Sequence, residues 1–180
     1  MNLQEEKNRI RTEIRRAKNR FTVDERNAMS VSVMDRLLSH PRIREARTVL
    51  MYYSLPDEVN TTVAVDRLLQ AGKTVLLPVV IDDENLELRR YEKSSDLREG
   101  SFHIPEPTGQ RFSDYDSIEV VAVPGMGFDR RCNRLGRGKG YYDRLLARLP
   151  HAYKIGVCFD FQKVDSLPAN AHDVKMDEVL

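Results

Sequence analysis

Short apolar runs with strand character, separated by stretches of helical periodicity, constrain the fold of this chain more than any other feature. The clearest runs are 48–53 (TVLMYY), 74–80 (TVLLPVV) and 118–123 (IEVVAV). Such runs are typical of strands that are buried on both faces, as in the centre of a parallel sheet. Because strands alternate with helices along the chain, the sequence predicts an α/β fold: a mainly parallel, twisted sheet in a three-layer, Rossmann-like α/β/α arrangement.

Further helices and strands are predicted around these runs. Thr22 and Glu25 form a capping box that opens a helix after the basic helix predicted for 3–20. The residues of this second helix that are predicted to face inward are Ala28, Val31, Met34, Leu37 and Leu38. Residues 63–70 predict a helix that Gly72 ends. An alternating strand, exposed or antiparallel, is predicted for 86–91, and the last strand for 154–159.

A proline-rich segment follows the alternating strand. Residues 102–108 (FHIPEPT) carry prolines at 105 and 107, which exclude a helix and predict a stiff loop. Phe102 and His103 are candidates for the wall of a pocket, although a lone histidine is more often a surface residue.

Composition describes a soluble globular protein. The chain has 180 residues, of which 41% are hydrophobic and 32% charged, and no repeat or linker divides it. A single domain over 1–180 is therefore predicted, and a monomer is expected. The net charge of +1 argues against a dedicated nucleic-acid binder. No apolar run reaches about 18 residues and the N-terminus has no signal-peptide pattern, so we expect a cytoplasmic protein without a membrane partner.

The most distinctive stretch is 133–144 (NRLGRGKGYYDR), which combines glycines, cations and paired tyrosines. Glycines at alternate positions carry no Cβ, so a ligand can approach the backbone N–H groups. Arg134, Arg137 and Lys139 add cationic donors that suit polyanions. The pattern indicates phosphate binding, most simply of a nucleotide. It is neither a P-loop nor a dinucleotide fingerprint, and an ordinary basic turn is the alternative.

The residues after the glycines have helical spacing. Tyr142, Leu145, Leu146 and Leu149 predict a helix that begins directly after the loop, and the dipole at its N-terminus would also favour an anion. In the N-terminal helix, Lys7 and Arg11 lie one turn apart. They either belong to a solvated charged face or point at the same polyanion, and spacing alone does not choose between the two.

The loop 54–61 (SLPDEVNT) links a predicted central strand to the helix that follows. Ligands of open α/β sheets gather beyond the carboxyl ends of strands, which favours Asp57, Glu58 and Asn60 as ligand contacts. Capping of the following helix explains the same residues equally well.

Several motifs in one order resemble the 5-formyltetrahydrofolate cyclo-ligase family, also called methenyltetrahydrofolate synthetases. They are the basic start with Lys7 and Arg11, SLPDEVNT, IPEPT, VPGMGFD, NRLGRGKGYYDR and the closing HDVKMDEVL. The resemblance covers essentially the whole chain. Its most specific part is residues 133–144, which we call the glycine block. It implies ATP-dependent closure of 5-formyltetrahydrofolate to 5,10-methenyltetrahydrofolate with Mg²⁺, releasing ADP and phosphate.

The resemblance also implies roles for individual residues. The implied ATP-binding residues are Lys7, Arg11, Arg134, Leu135, Gly136, Arg137, Gly138, Lys139, Gly140, Tyr141 and Tyr142. The implied folate-binding residues are Leu55, Asn60, Arg137, Gly138, Lys139, Gly140 and Tyr141. Lys139 and Arg137 are the implied catalytic cations beside the transferring phosphoryl group, and Asp143 and Asp173 are the implied magnesium ligands.

Asn60 departs from the family pattern, which commonly has an acidic residue at this position. A carboxylate accepts two hydrogen bonds from the amino-pyrimidine edge of a pterin, whereas an asparagine offers one carbonyl and one amide donor. Weaker or altered pterin binding is therefore expected, rather than loss of activity.

Two other classes of function remain open from the sequence. One is a nucleotide- or folate-binding regulatory module without turnover, which would bind ATP and form no product. The other is an RNA-binding protein that uses the two basic clusters, although the near-neutral charge and the lack of an aromatic stacking platform oppose it.

Overall fold

The computed structural model of the protein describes residues 2–93, 96–100, 103 and 105–180. The α-helices are α1 (Leu3–Lys18), α2 (Val23–Ser39), α3 (Pro41–Glu45), α4 (Thr62–Gln70) and α5 (Tyr141–Ala147). The strands are β1 (Thr48–Leu50), β2 (Thr74–Val80), β3 (Leu86–Arg90), β4 (Leu97–Glu99), β5 (Pro105–Pro107), β6 (Arg111–Phe112), β7 (Val120–Pro124), β8 (Gly127–Asp129), β9 (Arg134–Leu135), β10 (Tyr153–Val157), β11 (Lys163–Val164) and β12 (Glu178–Val179).

The central sheet is mainly parallel, as predicted. Within the described residues its order is β12-β10-β7-β1-β2-β3-β6. The pairings from β12 to β2 are parallel, whereas β3 pairs antiparallel with β2 and β6 with β3. The predicted alternation of strands and helices is wrong between β2 and β7, where the described residues form strands, turns and the short 3-10 helix Tyr115–Ser117 but no α-helix. Asp82 accepts hydrogen bonds from the backbone N–H groups of Glu84 and Asn85, and this tight turn returns the chain as a hairpin.

Two hydrophobic layers cover the two faces of this sheet. Successive residues of a strand point to opposite faces, so Val49 joins one layer and Leu50 the other. The first layer contains Leu37 of α2 and Val65 of α4, and the second contains the leucines of α5 and Leu149 just beyond it. The three-layer arrangement is therefore confirmed.

Helix α1 packs beside the small sheet β11-β8-β9, away from these two layers. Ile10 and Ile14 form a separate apolar cluster with Met126, Leu135 and Leu167. Because Leu135 belongs to the glycine block, this packing brings the N-terminal helix against that block.

The inward face predicted for α2 is partly wrong. Its buried stripe is Ser30, Val33, Met34 and Leu37, which follow the i, i+3, i+4, i+7 spacing of one helix face. Val31 lies one position away from that stripe and is 61% exposed, and Ala28 is exposed as well.

The stiff loop predicted for 102–108 is also partly wrong. Residues 105–107 form β5, which pairs antiparallel with β4 in a separate small sheet. Prolines lack a backbone donor and fit such a two-stranded edge. Phe102 lies outside the described residues, and His103 is an exposed residue paired with Glu99.

Asp129 organises the connection between β8 and β9. One carboxylate oxygen accepts hydrogen bonds from the backbone N–H groups of Arg131 and Asn133, each at 2.9 Å. The other accepts from the Asn133 side chain at 2.8 Å and from the Leu167 backbone at 2.9 Å. Burial would raise the pKa of Asp129, but these hydrogen bonds outweigh it and hold that pKa below its ordinary value.

The structure predicts very different effects for two truncations in α2. Leu37→Ala should lower the free energy of unfolding by about 2–5 kcal/mol, because the side chain is fully buried and its removal leaves a cavity. Val31→Ala on the same helix should stay within about 0.5 kcal/mol of wild type. Urea unfolding measures both, and equal effects would contradict this description of the helix face.

Replacing Asp129 should reveal a pH-dependent contribution to stability. A carboxyl group with a depressed pKa stabilises the fold above its unfolded-state pKa, and this stabilisation is lost as pH falls through the lower folded-state value. Asp129→Asn should therefore cost about 1–3 kcal/mol at pH 7, and less below about pH 4. Urea unfolding of both proteins at several pH values tests this. Asp165→Asn, at an exposed neighbouring carboxylate, should match wild type at pH 7, and a pH-independent Asp129→Asn difference would contradict the linkage.

Candidate active site

A pocket of about 540 Å³ opens at the carboxyl ends of the parallel strands. Tyr52 and Leu55 line it beyond β1, Val80 ends β2, and Pro124 and Gly125 mark the end of β7. This edge of an open α/β sheet is where ligands of such folds gather, and the volume suits a small-molecule site.

The glycine block forms one wall of this pocket. Every residue from Arg134 to Asp143 lines it, with Arg134 and Leu135 in β9 and Tyr141 at the start of α5. Gly138 and Gly140 have φ values of 114° and 72°, in a region that L side chains rarely adopt. A Cβ on Gly140 would also lie 2.7 Å from Arg144 Nη1. The turn into α5 therefore requires glycine at these two positions.

Helix α1 contributes two buried cations to the same pocket. Lys7 and Arg11 line it and are each only 7% exposed. Lys7 Nζ lies 2.6 Å from an Asp173 carboxylate oxygen, and Arg11 Nε donates to the Gly136 carbonyl oxygen at 2.8 Å. Burial lowers the pKa of Arg11. Of the two interpretations open from the sequence, a solvated face is excluded, since both side chains are buried and line the same pocket as the glycine block.

Arg134 and Tyr142, which both belong to the glycine block, pack against each other. The Arg134 guanidinium lies 5.6 Å from the centre of the Tyr142 ring, and Nη2 lies 3.0 Å from an Asp143 oxygen. Burial raises the pKa of Tyr142, so its phenol stays neutral. Within the described residues, Arg134 Nε and the Tyr142 hydroxyl are buried without a hydrogen-bond partner.

The two predicted metal ligands lie side by side. Asp143 and Asp173 both line the pocket, and Asp143 accepts a hydrogen bond from the backbone N–H of Val174, the residue next to Asp173. Two carboxylates beside a phosphate site are a donor set that suits Mg²⁺, which usually takes one or two carboxylates and completes its shell with phosphates and water. Within the described residues no group of three or more His, Cys, Asp or Glu forms a protein-only metal cage. The residues therefore fit a magnesium ion that is shared with a bound phosphate.

Lys139 and Arg137 differ in their surroundings. Within the described part of the chain, Lys139 lines the pocket and its ammonium group has no hydrogen-bond or ion-pair partner. Arg137 donates to Asp57 at 2.7 Å and to Glu58 at 3.0 Å. Lys139 therefore offers an uncommitted positive charge, and Arg137 a charge held in place by carboxylates.

The predicted folate residues are only partly brought together. Leu55 and Tyr141 line the pocket, but Asn60 does not. The Asn60 side chain is exposed, and its oxygen accepts hydrogen bonds from the Thr62 backbone at 3.1 Å and hydroxyl at 2.8 Å. Asn60 therefore forms hydrogen bonds with the first turn of α4. A folate contact from Asn60 stays a prediction, and such a contact would require the Asn60 side chain to leave that turn.

Several pocket residues were not singled out from the sequence. Glu106 lines the pocket from β5, and the apolar side chains of Tyr53, Pro78 and Leu86 line it as well. In the sequence these apolar residues are indistinguishable from core strand residues. Their position at strand ends was the available signal, since that edge of the sheet is where ligands bind.

No described helix of this chain is long and apolar enough to cross a membrane.

Comparison with known proteins gives one family. The model of the 5-formyltetrahydrofolate cyclo-ligase family matches residues 3–180. The chain is 30% identical to the 5-formyltetrahydrofolate cyclo-ligase of Escherichia coli K12, over 93% of this chain and 95% of the relative. It is 28% identical to the mouse enzyme of the same name, over 95% and 91% of the two chains.

A solved structure has the same architecture. The NMR structure of the 5,10-methenyltetrahydrofolate synthetase of Aquifex aeolicus superimposes with a TM-score of 0.84 at 34% identity, covering 96% of this chain and 88% of that one. Together with the family match over nearly the whole length, this shows that the chain belongs to the 5-formyltetrahydrofolate cyclo-ligase family.

Proposed function

We propose that this protein is a 5-formyltetrahydrofolate cyclo-ligase that uses Mg²⁺ and ATP to form 5,10-methenyltetrahydrofolate, ADP and phosphate. The observation that carries the proposal is the meeting of α1 and the glycine block in one pocket: Lys7, Arg11, Arg134, Arg137 and Lys139 all line it. Membership of the family supplies the substrate class.

The reaction explains why this pocket needs cations rather than a nucleophilic side chain. The N5-formyl group is an amide, and its oxygen is a very poor leaving group. Transfer of the γ-phosphoryl group of ATP to that oxygen gives an iminium phosphate. N10 then attacks the formyl carbon and loses its proton to solvent, and phosphate leaves as the methenyl bridge forms. Catalysis of such a transfer depends on positioning and on stabilising charge around the phosphoryl oxygens.

The cationic side chains would have different roles according to their position in the pocket. Lys7, Arg11 and Arg134 would hold the phosphates of ATP from the α1 side of the pocket. Lys139 and Arg137 would lie beside the transferring phosphoryl group, where the uncommitted ammonium of Lys139 can meet the charge that develops. Backbone N–H groups around Gly138 and Gly140 would add donors without side-chain obstruction.

Asp143 and Asp173 would hold Mg²⁺, which neutralises phosphate charge when bound. In the structure both carboxylates are paired with cations, Asp143 with Arg134 and Asp173 with Lys7. Lys7 and Arg134 therefore stabilise these half-buried carboxylates, and each cation would find a negatively charged replacement partner in a bound nucleotide.

The folate would occupy the apolar side of the pocket. Leu55, Val80 and Leu86 provide apolar surface, and Tyr141 donates its hydroxyl hydrogen bond to the Asp82 carbonyl at 2.9 Å. This bond fixes the Tyr141 ring beside the glycine block, where it can border a planar pterin. We further propose a cytoplasmic monomer that acts on this small molecule and on no nucleic acid.

The direct test is turnover. Purified protein with 5-formyltetrahydrofolate and Mg-ATP should show an ATP-dependent rise in the near-ultraviolet absorbance of the methenyl product. Lys139→Ala should lower kcat by about 10²–10³-fold, because a charge that stabilises the transition state is lost. Lys93→Ala, at an exposed lysine outside the pocket, is the matched control. ATP binding without product formation would instead favour the non-catalytic module.

A second test concerns the nucleotide side of the pocket. Arg11→Met should raise the Kd of a non-hydrolysable Mg-ATP analogue about 10-fold or more, because a buried charge-assisted donor to phosphate is lost. Arg16→Met, at an exposed position of the same helix, should change Kd less than about twofold. Isothermal titration calorimetry measures both. Equal effects of the two variants, together with salt-dependent RNA binding that ATP does not displace, would favour the RNA-binding alternative.

A further inference from the structure

Two consecutive carboxylates, to which the family resemblance assigned no role, hold one of the cations of the pocket. Arg137 donates from Nη2 to Asp57 at 2.7 Å and to Glu58 at 3.0 Å, and from Nε to Glu58 at 3.3 Å. Asp57 and Glu58 belong to the loop after β1, whereas Arg137 belongs to the glycine block some 80 residues later. The contact therefore joins two walls of the pocket.

The loop that carries Asp57 and Glu58 is held in place by hydrogen bonds of its own. The Leu55 backbone N–H donates to the other Glu58 oxygen at 3.0 Å, and the Glu58 backbone N–H returns a bond to the Leu55 carbonyl. The buried Thr61 hydroxyl closes the loop by donating to the Tyr52 carbonyl at 2.6 Å. Lys18, at the end of α1, donates to the second oxygen of Asp57.

The bonds from Arg137 use two of the three nitrogens of its guanidinium, and Glu58 holds the edge formed by Nε and Nη2. Nε and Nη2 are occupied, while among the described residues none accepts a hydrogen bond from Nη1. A planar guanidinium that is anchored along one edge keeps a fixed orientation and presents its remaining N–H groups in one direction. An anchored edge with a free nitrogen is the arrangement expected of an oriented donor.

Charge in this cluster is balanced. Lys18 and Arg137 face Asp57 and Glu58, so two cations meet two carboxylates. Burial alone would lower the pKa of Arg137, but Glu58 and Asp57 outweigh it and raise that pKa. The guanidinium stays charged at every working pH, so its orientation, rather than its ionisation, is what the two carboxylates set.

We infer that Asp57 and Glu58 are positioning residues for Arg137, and that Lys18 fixes Asp57 for this purpose. The pair would aim the free Nη1 of Arg137 at the transferring phosphoryl group, so this inference rests on the proposed function. Neither carboxylate would touch the reacting atoms, and both would act through Arg137.

The kinetic test is a double-mutant cycle. Asp57→Asn should lower kcat by about 10- to 100-fold, since misplacing a catalytic group by about 1 Å costs this much, while KM for ATP changes less than about threefold. In an Arg137→Ala background the same substitution should change kcat less than about twofold, because its partner is already gone. Glu58→Gln is the second variant. Asp35→Asn, at an exposed carboxylate of α2, is the matched control and should leave both constants unchanged.

A spectroscopic readout separates this inference from the proposed activity. In ¹⁵N NMR spectra, the Nε–H resonance of Arg137 is assigned by its loss in Arg137→Lys. This resonance should report an ordered guanidinium in the wild type and a motionally averaged one in Asp57→Asn and Glu58→Gln. Thermal unfolding of each variant checks that the fold is retained.

The outcomes are distinct. Absence of methenyl product from wild type would overturn the proposed function, while an ordered Arg137 signal that the variants average would still support positioning. Additive kinetic effects, or a mobile Arg137 in the wild type, would overturn the inference. Higher kcat or tighter ATP binding in Asp57→Asn would also overturn it, because the carboxylates would then restrain Arg137 from its ligand.

Discussion

Burial of both faces of the parallel strands is the constraint on which the rest of the structure depends. Val49 and Leu50 of β1 pack into opposite apolar layers, so helices must cover both sides of the sheet. The edge at the carboxyl ends of the strands is left for the connecting loops. Polar and charged residues that cannot enter either layer collect there, and the pocket is formed among them.

Inside the pocket, the pairing of opposite charges is a second constraint on the structure. Lys7 is paired with Asp173 and Arg134 with Asp143, because a buried charge without a partner is strongly destabilising. A polyanion with a divalent cation offers both members of each pair a new partner of the right sign. The pairing of charges in the pocket therefore matches the nucleotide and magnesium ion that we propose as its ligands.

Prediction from sequence succeeded where a local pattern has one structural solution. The apolar runs gave the central strands, the capping box at Thr22 and Glu25 is present, and Gly72 ends α4 in a left-handed conformation. It failed where neighbouring patterns compete: Val31 fits a helical spacing but lies beside the buried stripe of α2. The alternating strand predicted for 86–91 is confirmed as β3, which pairs antiparallel with β2, whereas the helix that regular alternation would place between these two strands is absent from the described residues.

The sequence by itself determined the central strands and the helices that flank them, and it predicts an anionic ligand for the glycine block. Only the tertiary structure decided which distant residues share the pocket. Lys7 pairs with Asp173 and Arg11 with Gly136. Arg137 contacts Asp57 and Glu58, whereas Asn60 accepts hydrogen bonds from Thr62. Periodicity is a local property of the backbone and can be read from neighbouring residues. A side chain's partner depends instead on which loops the sheet brings to one edge, and this follows from strand order and helix packing over the whole chain.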